Sequence, residues 1–329
     1  GGGGGGGYET GNESEGGYDD DVVAVGLEND AKVAAAAEAV FPSTLPYEDA
    51  STNHKFQVRS LFYMDDKVKI HGGDAFGKLV HIANYAVDPQ LFPSGRIDHI
   101  AAQGRFKKVI AAIRASVKKP PMLFIVNLQV PGSSSVPNIS VPMIFALPCD
   151  FERRDQSDDA YSFRAMFDRY YEDMPVTHGA GDAPYHPSEQ ADDVGTCDEK
   201  HFRNQRFKMI PAIIEGPWIV RSAVPVKPAL MGRKLTQRYF RGEGYVETDI
   251  HIGSSAIANN ITGLCRGYAK AMVVDLAFCL EGRAEEELPE RLIGVARYRH
   301  PDVEKYEDLY DEETPPPVAG GGGEPKKDV

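Results

Sequence analysis

Cysteine is scarce in this chain of 329 residues, and its four cysteines lie far apart, at Cys149, Cys197, Cys265 and Cys279. No two of them form the CxxC pair that is typical of zinc sites and redox centres. We therefore expect reduced, buried thiols in an intracellular protein. The sequence also lacks a signal peptide and any apolar run long enough to cross a bilayer. The predicted location is cytoplasmic, or peripheral on a membrane.

Known catalytic motifs are also missing. There is no nucleophile elbow, P-loop or dinucleotide-binding fingerprint, and the nine histidines are scattered. One constellation remains, because Glu247, Asp249 and His251 alternate along a predicted strand and would lie ~6.5 Å apart on one face. They could share a metal ion or a proton, but a strand face in contact with water shows the same pattern. We expect no enzymatic activity, no metal and no cofactor.

Charge is distributed unevenly along the chain. The net charge is −13, but residues 1–52 contribute −10 and residues 301–329 contribute −6, which leaves +3 for residues 53–300. A body charge this small is far below what non-specific binding to nucleic acid needs. We expect no nucleic-acid partner. Local basic clusters in the body could still contact an anionic lipid or an acidic protein.

The composition of the two ends predicts the domain boundaries. Residues 1–30 are rich in glycine and acids, and residues 301–329 combine proline, glycine and acids. Such segments have little to bury, so both are expected to be disordered around a single domain at residues 31–300. The chain starts with glycine instead of methionine, which suggests a fragment or a processed product of a longer protein.

Hydrophobic periodicity predicts the main elements of that domain. Asp98 can cap a helix that runs to about Lys118 and has one apolar face. The apolar run Met122–Val130 indicates a central strand covered on both faces, and Val141–Leu147 is its expected hairpin neighbour. A helix is predicted at Ala160–Tyr171, and a basic-aromatic strand at Phe202–Lys208.

The C-terminal third predicts a hairpin followed by a helix. A four-residue loop at Arg241–Gly244 would place Phe240 opposite Tyr245. Ser254 or Ser255 would then cap a helix that has its apolar stripe at Ile257, Ile261, Leu264, Cys265, Tyr268 and Met272. Together the elements indicate an α+β domain, with a curved antiparallel sheet and helices packed on one face. A helix-grip cup, like that of START lipid-transfer domains, is a special case of this layout, and an unrelated sheet-and-helix arrangement is the alternative.

Two basic clusters and the single tryptophan are the candidate ligand contacts. Cations from helix 98–118 and strand 202–208 could hold an anionic headgroup; these are Arg105, Lys107, Lys108, Arg203, Arg206 and Lys208. The competing interpretations are an ordinary solvated helix face and internal salt bridges to the many carboxylates. Trp218 follows a Gly-Pro turn and precedes Ile219 and Val220, so we expect it to be mostly buried on a sheet.

Several ordered blocks of sequence resemble one known family. Two adjoining blocks are FRNQRFKMIPAIIEGPWIVRSAV, at residues 202–224, and KPALMGRKLTQRYFRGEGYVETDIHIGSSAIANNI, at residues 227–261. Three shorter stretches agree as well: FQVRSLFYMDDKVKI (56–70), NLQVPG (127–132) and VVDLAFCLEG followed by ELPERLIGVARY (273–298). These blocks resemble the C-terminal domain of the plant Enhanced Disease Resistance 2 proteins.

The resemblance implies a non-enzymatic role. Relatives often combine this domain with pleckstrin-homology and START domains, which bind lipids, although this chain shows neither. Two hypotheses follow: a lipid-binding or membrane-peripheral regulatory domain, or a structural interaction module within a larger protein complex. A large apolar cavity beside Trp218 would favour the first, and a solid core with an exposed apolar patch the second.

Overall fold

The computed structural model describes residues 20–43, 45–148, 161–172 and 202–316, with side chains from Glu28 onward. The expectations for residues 1–19 and 317–329 and for Cys149 and Cys197 lie outside this part. Among the described residues, Cys265 and Cys279 are free thiols; Cys279 is buried as expected, whereas Cys265 is only half-buried. Within the same ranges, no helix has the length and apolar character that crossing a membrane requires.

The α-helices of the described part are α1 (Asp20–Val40), α2 (Tyr63–Asp66), α3 (Gly104–Ala115), α4 (Tyr161–Glu172), α5 (Phe202–Arg206), α6 (Trp218–Ala223) and α7 (Ala256–Gly267). The strands are β1 (Tyr47–Asp49), β2 (Gln57–Arg59), β3 (Lys69–His71), β4 (Lys78–Ile82), β5 (Tyr85–Ala86), β6 (Leu123–Val130), β7 (Ile139–Ala146), β8 (Phe207–Glu215), β9 (Ala229–Leu230), β10 (Thr236–Gly242), β11 (Tyr245–His251), β12 (Val273–Leu280) and β13 (Leu292–Arg299).

A six-stranded sheet has the order β10-β11-β6-β7-β4, with β5 beside β7. Every residue of β6 is buried, which confirms the prediction of a central strand covered on both faces. Its antiparallel neighbour β7 is also confirmed. The sheet is not purely antiparallel, because β11 and β6 run parallel.

A second, antiparallel sheet of five strands has the order β1-β13-β12-β8-β9. It faces the first sheet across the largest core, where Phe124 of β6 meets Phe207 of β8 and Phe207 stacks on Phe278 of β12. Helix α4 adds aromatic side chains to this core, as its predicted apolar face requires. The α+β class is therefore confirmed, but with two sheets instead of one curved sheet. The helix-grip cup is not confirmed.

Helices α1 and α3 cover the outer face of the six-stranded sheet. Phe106, Val109 and Ile113 of α3 are buried there against Val33 and Phe41 of the α1 region, which confirms the predicted apolar face of α3. The helix itself begins later than expected, at Gly104, after a 3₁₀ turn at Ile100–Ala102. Asp98 therefore does not cap it.

The register of the β10–β11 hairpin differs from the predicted one by two residues. Gly242 pairs with Tyr245, so the loop is Glu243-Gly244, and Phe240 lies opposite Glu247. Gly244 adopts φ 73°, which permits this tighter turn. Because side chains alternate with a period of two, the predicted faces of both strands are unchanged.

The described chain continues beyond both predicted domain boundaries. Helix α1 already begins at Asp20. At the other end, Leu309 is only 3% exposed, Glu307 forms a bridge to Tyr85, and the Arg105 backbone N–H donates to the Leu309 carbonyl at 2.8 Å. Average composition misses this packing because a single buried leucine is enough to hold an otherwise acidic segment against α3.

Candidate functional site

The polar face of β11 does not form an accessible site. Glu247 and Asp249 are completely buried, whereas His251 is only partly buried. Glu247 accepts the backbone N–H groups of Ile100 (2.7 Å) and Ala101 (2.9 Å). The carboxylates thus anchor the turn before α3 to the sheet. No group of three or more His, Cys, Asp or Glu residues suited to a metal ion occurs in the described residues.

The environment of this carboxyl pair favours a shared proton. Asp249 accepts the His99 backbone N–H at 3.0 Å and the Asn127 side-chain amide at 3.0 Å. Burial first, and then the charge of Glu247, hold the pKa of Asp249 well above its usual range. Burial also raises the pKa of Glu247. Two carboxyl groups buried beside each other ionise with difficulty, because burial and their mutual repulsion both disfavour the charged forms. We therefore assign the Glu247–Asp249 pair a structural role.

The predicted cationic contacts on α3 are mostly paired with acids of the C-terminal segment. Arg105 Nε lies 3.3 Å from Asp311 Oδ2, and Lys108 Nζ lies 2.8 Å from Glu313 Oε2. The Arg105 guanidinium also lies 4.2 Å from the centre of the Phe41 ring. Lys107 is exposed on the same helix. The internal salt-bridge interpretation therefore describes Arg105 and Lys108.

The predicted strand 202–208 is wrong for its first five residues, which form α5. Arg206 pairs with Glu287. Lys208 is buried at the start of β8, with its Nζ 2.6 Å from Glu290 Oε1. Arg203 is fully buried over the ring of Tyr239. A surface row of cations is therefore not formed, since helical geometry and long-range pairing direct these side chains inward.

The prediction that Trp218 is mostly buried is wrong. Among the described residues, Trp218 has the largest exposed fraction of any aromatic side chain. It begins α6 instead of lying on a sheet, and it is 72% exposed. The Gly-Pro turn ends β8 two residues earlier, so the chain has left the sheet before the tryptophan. Val220, two positions later, is the residue that points inward.

Other apolar side chains on and beside α6 and α7 are also exposed. We call this set the α6–α7 surface; it comprises Ile214, Trp218, Ile219, Ile257 and Tyr268. Ser255 caps α7 as predicted, accepting the Ala258 N–H, but no residue of α7 is fully buried and Ile257 is 74% exposed. The predicted apolar stripe therefore covers the protein only in part.

A small separate core holds the two helices together. Val220 and Val224 of the α6 region pack with Met272, and Ile261, Leu264 and Cys265 of α7 lie against them. The inward faces of α6 and α7 are therefore already packed against the protein. The exposed apolar side chains lie on the outward faces of these helices and beside them.

The charge beside this surface is basic. Residues 216–242 contain six bases and no acid, and residues 250–274 contain two bases and no acid. Arg221, Lys227, Arg233 and Lys234 are exposed and form no ion pair in the described part of the chain. Lys270 differs, because its Nζ lies 3.1 Å from Asp302 Oδ2. The two acid-free stretches are the sequence signal that could have identified this surface.

Two clefts of the described region lie away from Trp218. One of about 370 Å³ lies at the end of α7, lined by residues 266–271 and 301–304. Another, of about 340 Å³, lies between Phe92 and the segment around Leu309. Neither is lined by Trp218. An exposed apolar patch fits a protein interface as well as a membrane surface, so the choice between the two hypotheses rests on the exposed tryptophan and the basic residues beside it.

Comparisons with known proteins agree with the resemblance read from the sequence. The family model described as Protein ENHANCED DISEASE RESISTANCE 2, C-terminal, matches residues 49–302. An Arabidopsis thaliana protein named "Protein ENHANCED DISEASE RESISTANCE 2-like" is 32% identical over 253 residues, which cover 77% of this chain and 28% of that protein. No solved structure matches. The chain belongs to the Enhanced Disease Resistance 2 C-terminal domain family, and it spans less than a third of this relative.

Proposed function

We propose that this domain is a non-enzymatic, membrane-peripheral module that docks on an anionic bilayer through the α6–α7 surface. The observation that carries the proposal is Trp218, a tryptophan 72% exposed at the start of α6, with further exposed isoleucines and a tyrosine on and beside α6 and α7. Tryptophan and tyrosine favour the boundary between lipid headgroups and acyl chains, because the ring is apolar and its polar atom remains hydrated.

The flanking charge supports an anionic partner. Four exposed bases lie at residues 221–234 without an intervening acid. Each basic group near an anionic leaflet contributes about 1 kcal/mol at moderate ionic strength. Apolar insertion and a few such charges together are what reversible interfacial binding requires. The acidic segment 301–316 contacts two places: Asp311 and Glu313 lie against α3, whereas Asp302 pairs with Lys270 at the end of α7. The four exposed bases at residues 221–234 therefore carry the positive charge of this region.

The alternative function, a structural interaction module, is favoured by a different surface. The hairpin of β2 and β3 carries exposed Leu61 (49%) and Phe62 (66%) at its end. Arg59 of β2 pairs with Glu281, which follows β12 directly. Helices α6 and α7 pack beside Met272, which precedes β12 directly. The eight residues of β12 separate the two patches by roughly 25 Å. The hairpin end is thus a separate surface, suited to a protein partner.

Flotation with liposomes tests the proposed function. The full chain is mixed with vesicles of phosphatidylcholine alone, or of phosphatidylcholine with phosphatidylserine, and the floated fraction is measured. We expect recovery on anionic vesicles that declines with added salt, since exposed charges are screened within ~8–10 Å. Trp218→Ala should abolish recovery, and Arg221→Glu should reduce it on anionic vesicles.

Phe62→Ala is the matched control, because it removes an exposed aromatic ring from the hairpin end. It should float like the unmodified chain. If Phe62→Ala prevents flotation and Trp218→Ala does not, the membrane contact lies on the hairpin. Equal recovery on neutral and anionic vesicles would reject the role of the basic residues, and no recovery on either would reject the membrane and leave the interaction module.

A further inference from the structure

Arg203 is a buried cation without a hydrogen-bond partner. Its side chain is 0% exposed, and none of its three guanidinium nitrogens has an acceptor in the described part of the chain. Its Cζ atom lies 4.9 Å from the centre of the Tyr239 ring. A ring face offsets only part of the cost of removing a cation from water. The interior around Arg203 therefore favours an acceptor that the described protein atoms do not supply.

A second buried donor lies beside the same tyrosine. Gln237 is almost completely buried, and its Nε2 atom has no acceptor in the described residues. The Tyr239 hydroxyl lies 3.0 Å from Gln237 Oε1 and 2.6 Å from Asn204 Oδ1. In either orientation of the Gln237 amide, at least one of its N–H bonds remains without a partner. Arg203 and Gln237 thus both carry uncommitted donors next to Tyr239.

The strand geometry explains why these donors face the interior. Gln237 and Tyr239 alternate with Arg238 on β10, so they project to one face while Arg238 projects to the other, near Asp98. The face with Gln237 and Tyr239 is the one that borders the core between the two sheets, since Tyr239 belongs to that core. Arg203 enters the same space from α5, where Phe202 and Asn204 beside it are also buried.

The chemistry of the donors identifies the class of ligand. A guanidinium group offers a planar fork of N–H bonds that matches the oxygens of a carboxylate or phosphate. The guanidinium and the amide together present more N–H donors than the two oxygens of a carboxylate usually accept, whereas a phosphate group has three or four oxygens. We propose that Arg203 and Gln237 form a buried binding site for a phosphate group.

The phosphate could belong to inorganic phosphate or to the headgroup of a phospholipid. This site is separate from the α6–α7 surface, so it does not depend on the proposed membrane docking. Trp218→Ala should leave it unchanged, and the failure of one proposal can be distinguished from the failure of the other. Because Arg203 is fully buried, the ligand enters during local opening, and long incubation precedes each measurement.

Thermal unfolding of the full chain tests the site. The protein is incubated with increasing inorganic phosphate, or with dihexanoyl phosphatidic acid below its micelle concentration, against sodium chloride at matched ionic strength. We expect the Tm to rise with the logarithm of the ligand concentration, because a ligand that binds only the folded state stabilises it. A rise with both ligands indicates that the phosphate group suffices, and a rise with the lipid alone indicates a headgroup site.

The variants separate binding from a general salt effect. Without phosphate, Arg203→Met should melt at a higher temperature than the unmodified chain, because an unpaired buried charge is removed, and it should not respond to phosphate. Lys69→Met, which removes an exposed cation on β3 outside both proposed sites, should respond like the unmodified chain. Arg203→Lys keeps the charge but loses the fork, and it should need at least about tenfold more phosphate for the same shift.

Two results would overturn the site. The first is an unmodified chain whose Tm follows phosphate and lipid no more than it follows chloride. The second is an Arg203→Met or Arg203→Lys variant with an undiminished response. If Arg203→Met does not fold, Arg203→Lys and the unmodified chain together still decide the question.

Discussion

Glu247 and Asp249 lie two residues apart on β11, so both carboxyl groups project from the same face of the strand, and both are buried. Two carboxyl groups buried beside each other disfavour a second negative charge. The pKa of each is raised, chiefly by burial, and that of Asp249 the more strongly because the charge of Glu247 opposes its ionisation. The pair therefore keeps in the folded state a proton that the unfolded chain releases near pH 4.

Asp249→Asn should change how stability depends on pH. For a carboxyl with a raised pKa in the folded state, the favourable contribution is complete at low pH and declines as pH rises from about 4 towards that raised pKa. An amide imitates the protonated acid and cannot ionise. Near pH 4 the variant should lose about 1–3 kcal/mol, because one of the two oxygens that accept the His99 and Asn127 N–H groups becomes a donor. Urea unfolding across pH should show this deficit shrinking as pH rises.

Two comparisons support the interpretation of that experiment. Burial lowers the pKa of His99 to about 4, so its contribution to the free energy of unfolding rises with pH between about 4 and 6.5, opposite to that of the carboxyl pair. The unmodified chain and Asp249→Asn share this contribution, so it cancels in the difference between them. Glu247→Gln is the second variant of the pair. Its amide turns one of the two oxygens that accept the N–H groups of Ile100 and Ala101 into a donor. It should lose about 1–3 kcal/mol. Parallel stability curves for Asp249→Asn and the unmodified chain would show that no proton is held.

Trp218→Ala should leave the stability of the fold almost unchanged. The side chain is largely exposed, so the expected loss is within about 0.5 kcal/mol. Phe207→Ala, in the core between the sheets, should lose about 3–5 kcal/mol. Both are measured by urea unfolding. A loss above about 2 kcal/mol for Trp218→Ala, outside the range for exposed positions, would mean that the tryptophan is part of the core.

Leu309→Ala should destabilise the protein although it lies beyond the predicted domain boundary. The leucine is buried against α3, and truncation of a buried leucine costs about 2–5 kcal/mol. Shortening the chain to residues 1–300 should have a larger effect, because Arg105 and Lys108 also lose their acidic partners. Chemical unfolding measures both changes, and a chain of residues 1–316 serves as the control. Equal stability of the chains ending at 300 and 316 would contradict the packing.

Lys208→Met should destabilise the fold without affecting membrane binding. Glu290 is buried beside Lys208, and after removal of the cation its carboxylate keeps only the more distant Arg59 guanidinium, at 3.6 Å, so the loss should be about 1–3 kcal/mol. Guanidinium unfolding measures this loss, and liposome flotation measures binding. Arg221→Met is the control for charge alone, with little expected change in stability. A stable Lys208→Met variant with weaker flotation would restore Lys208 as a headgroup contact.

The sequence by itself determined the elements whose signal is local. The continuous apolar run of β6 and its partner β7, the apolar faces of α3 and α4, and the Ser255 cap of α7 follow from spacing within a few residues. The family, too, could be read from ordered blocks of residues, and the comparisons confirm it. The same local patterns also established the α+β class.

Only the tertiary structure decided which charges and apolar groups remain available. Lys208 pairs with a carboxylate 82 positions away and Arg105 with acids of the C-terminal segment, so neither could be distinguished by spacing from an exposed cation. Trp218 has apolar neighbours in sequence, yet it is exposed because β8 ends before it and α6 directs Val220 inward instead. Periodicity describes the faces of one element, but exposure depends on which distant elements cover those faces.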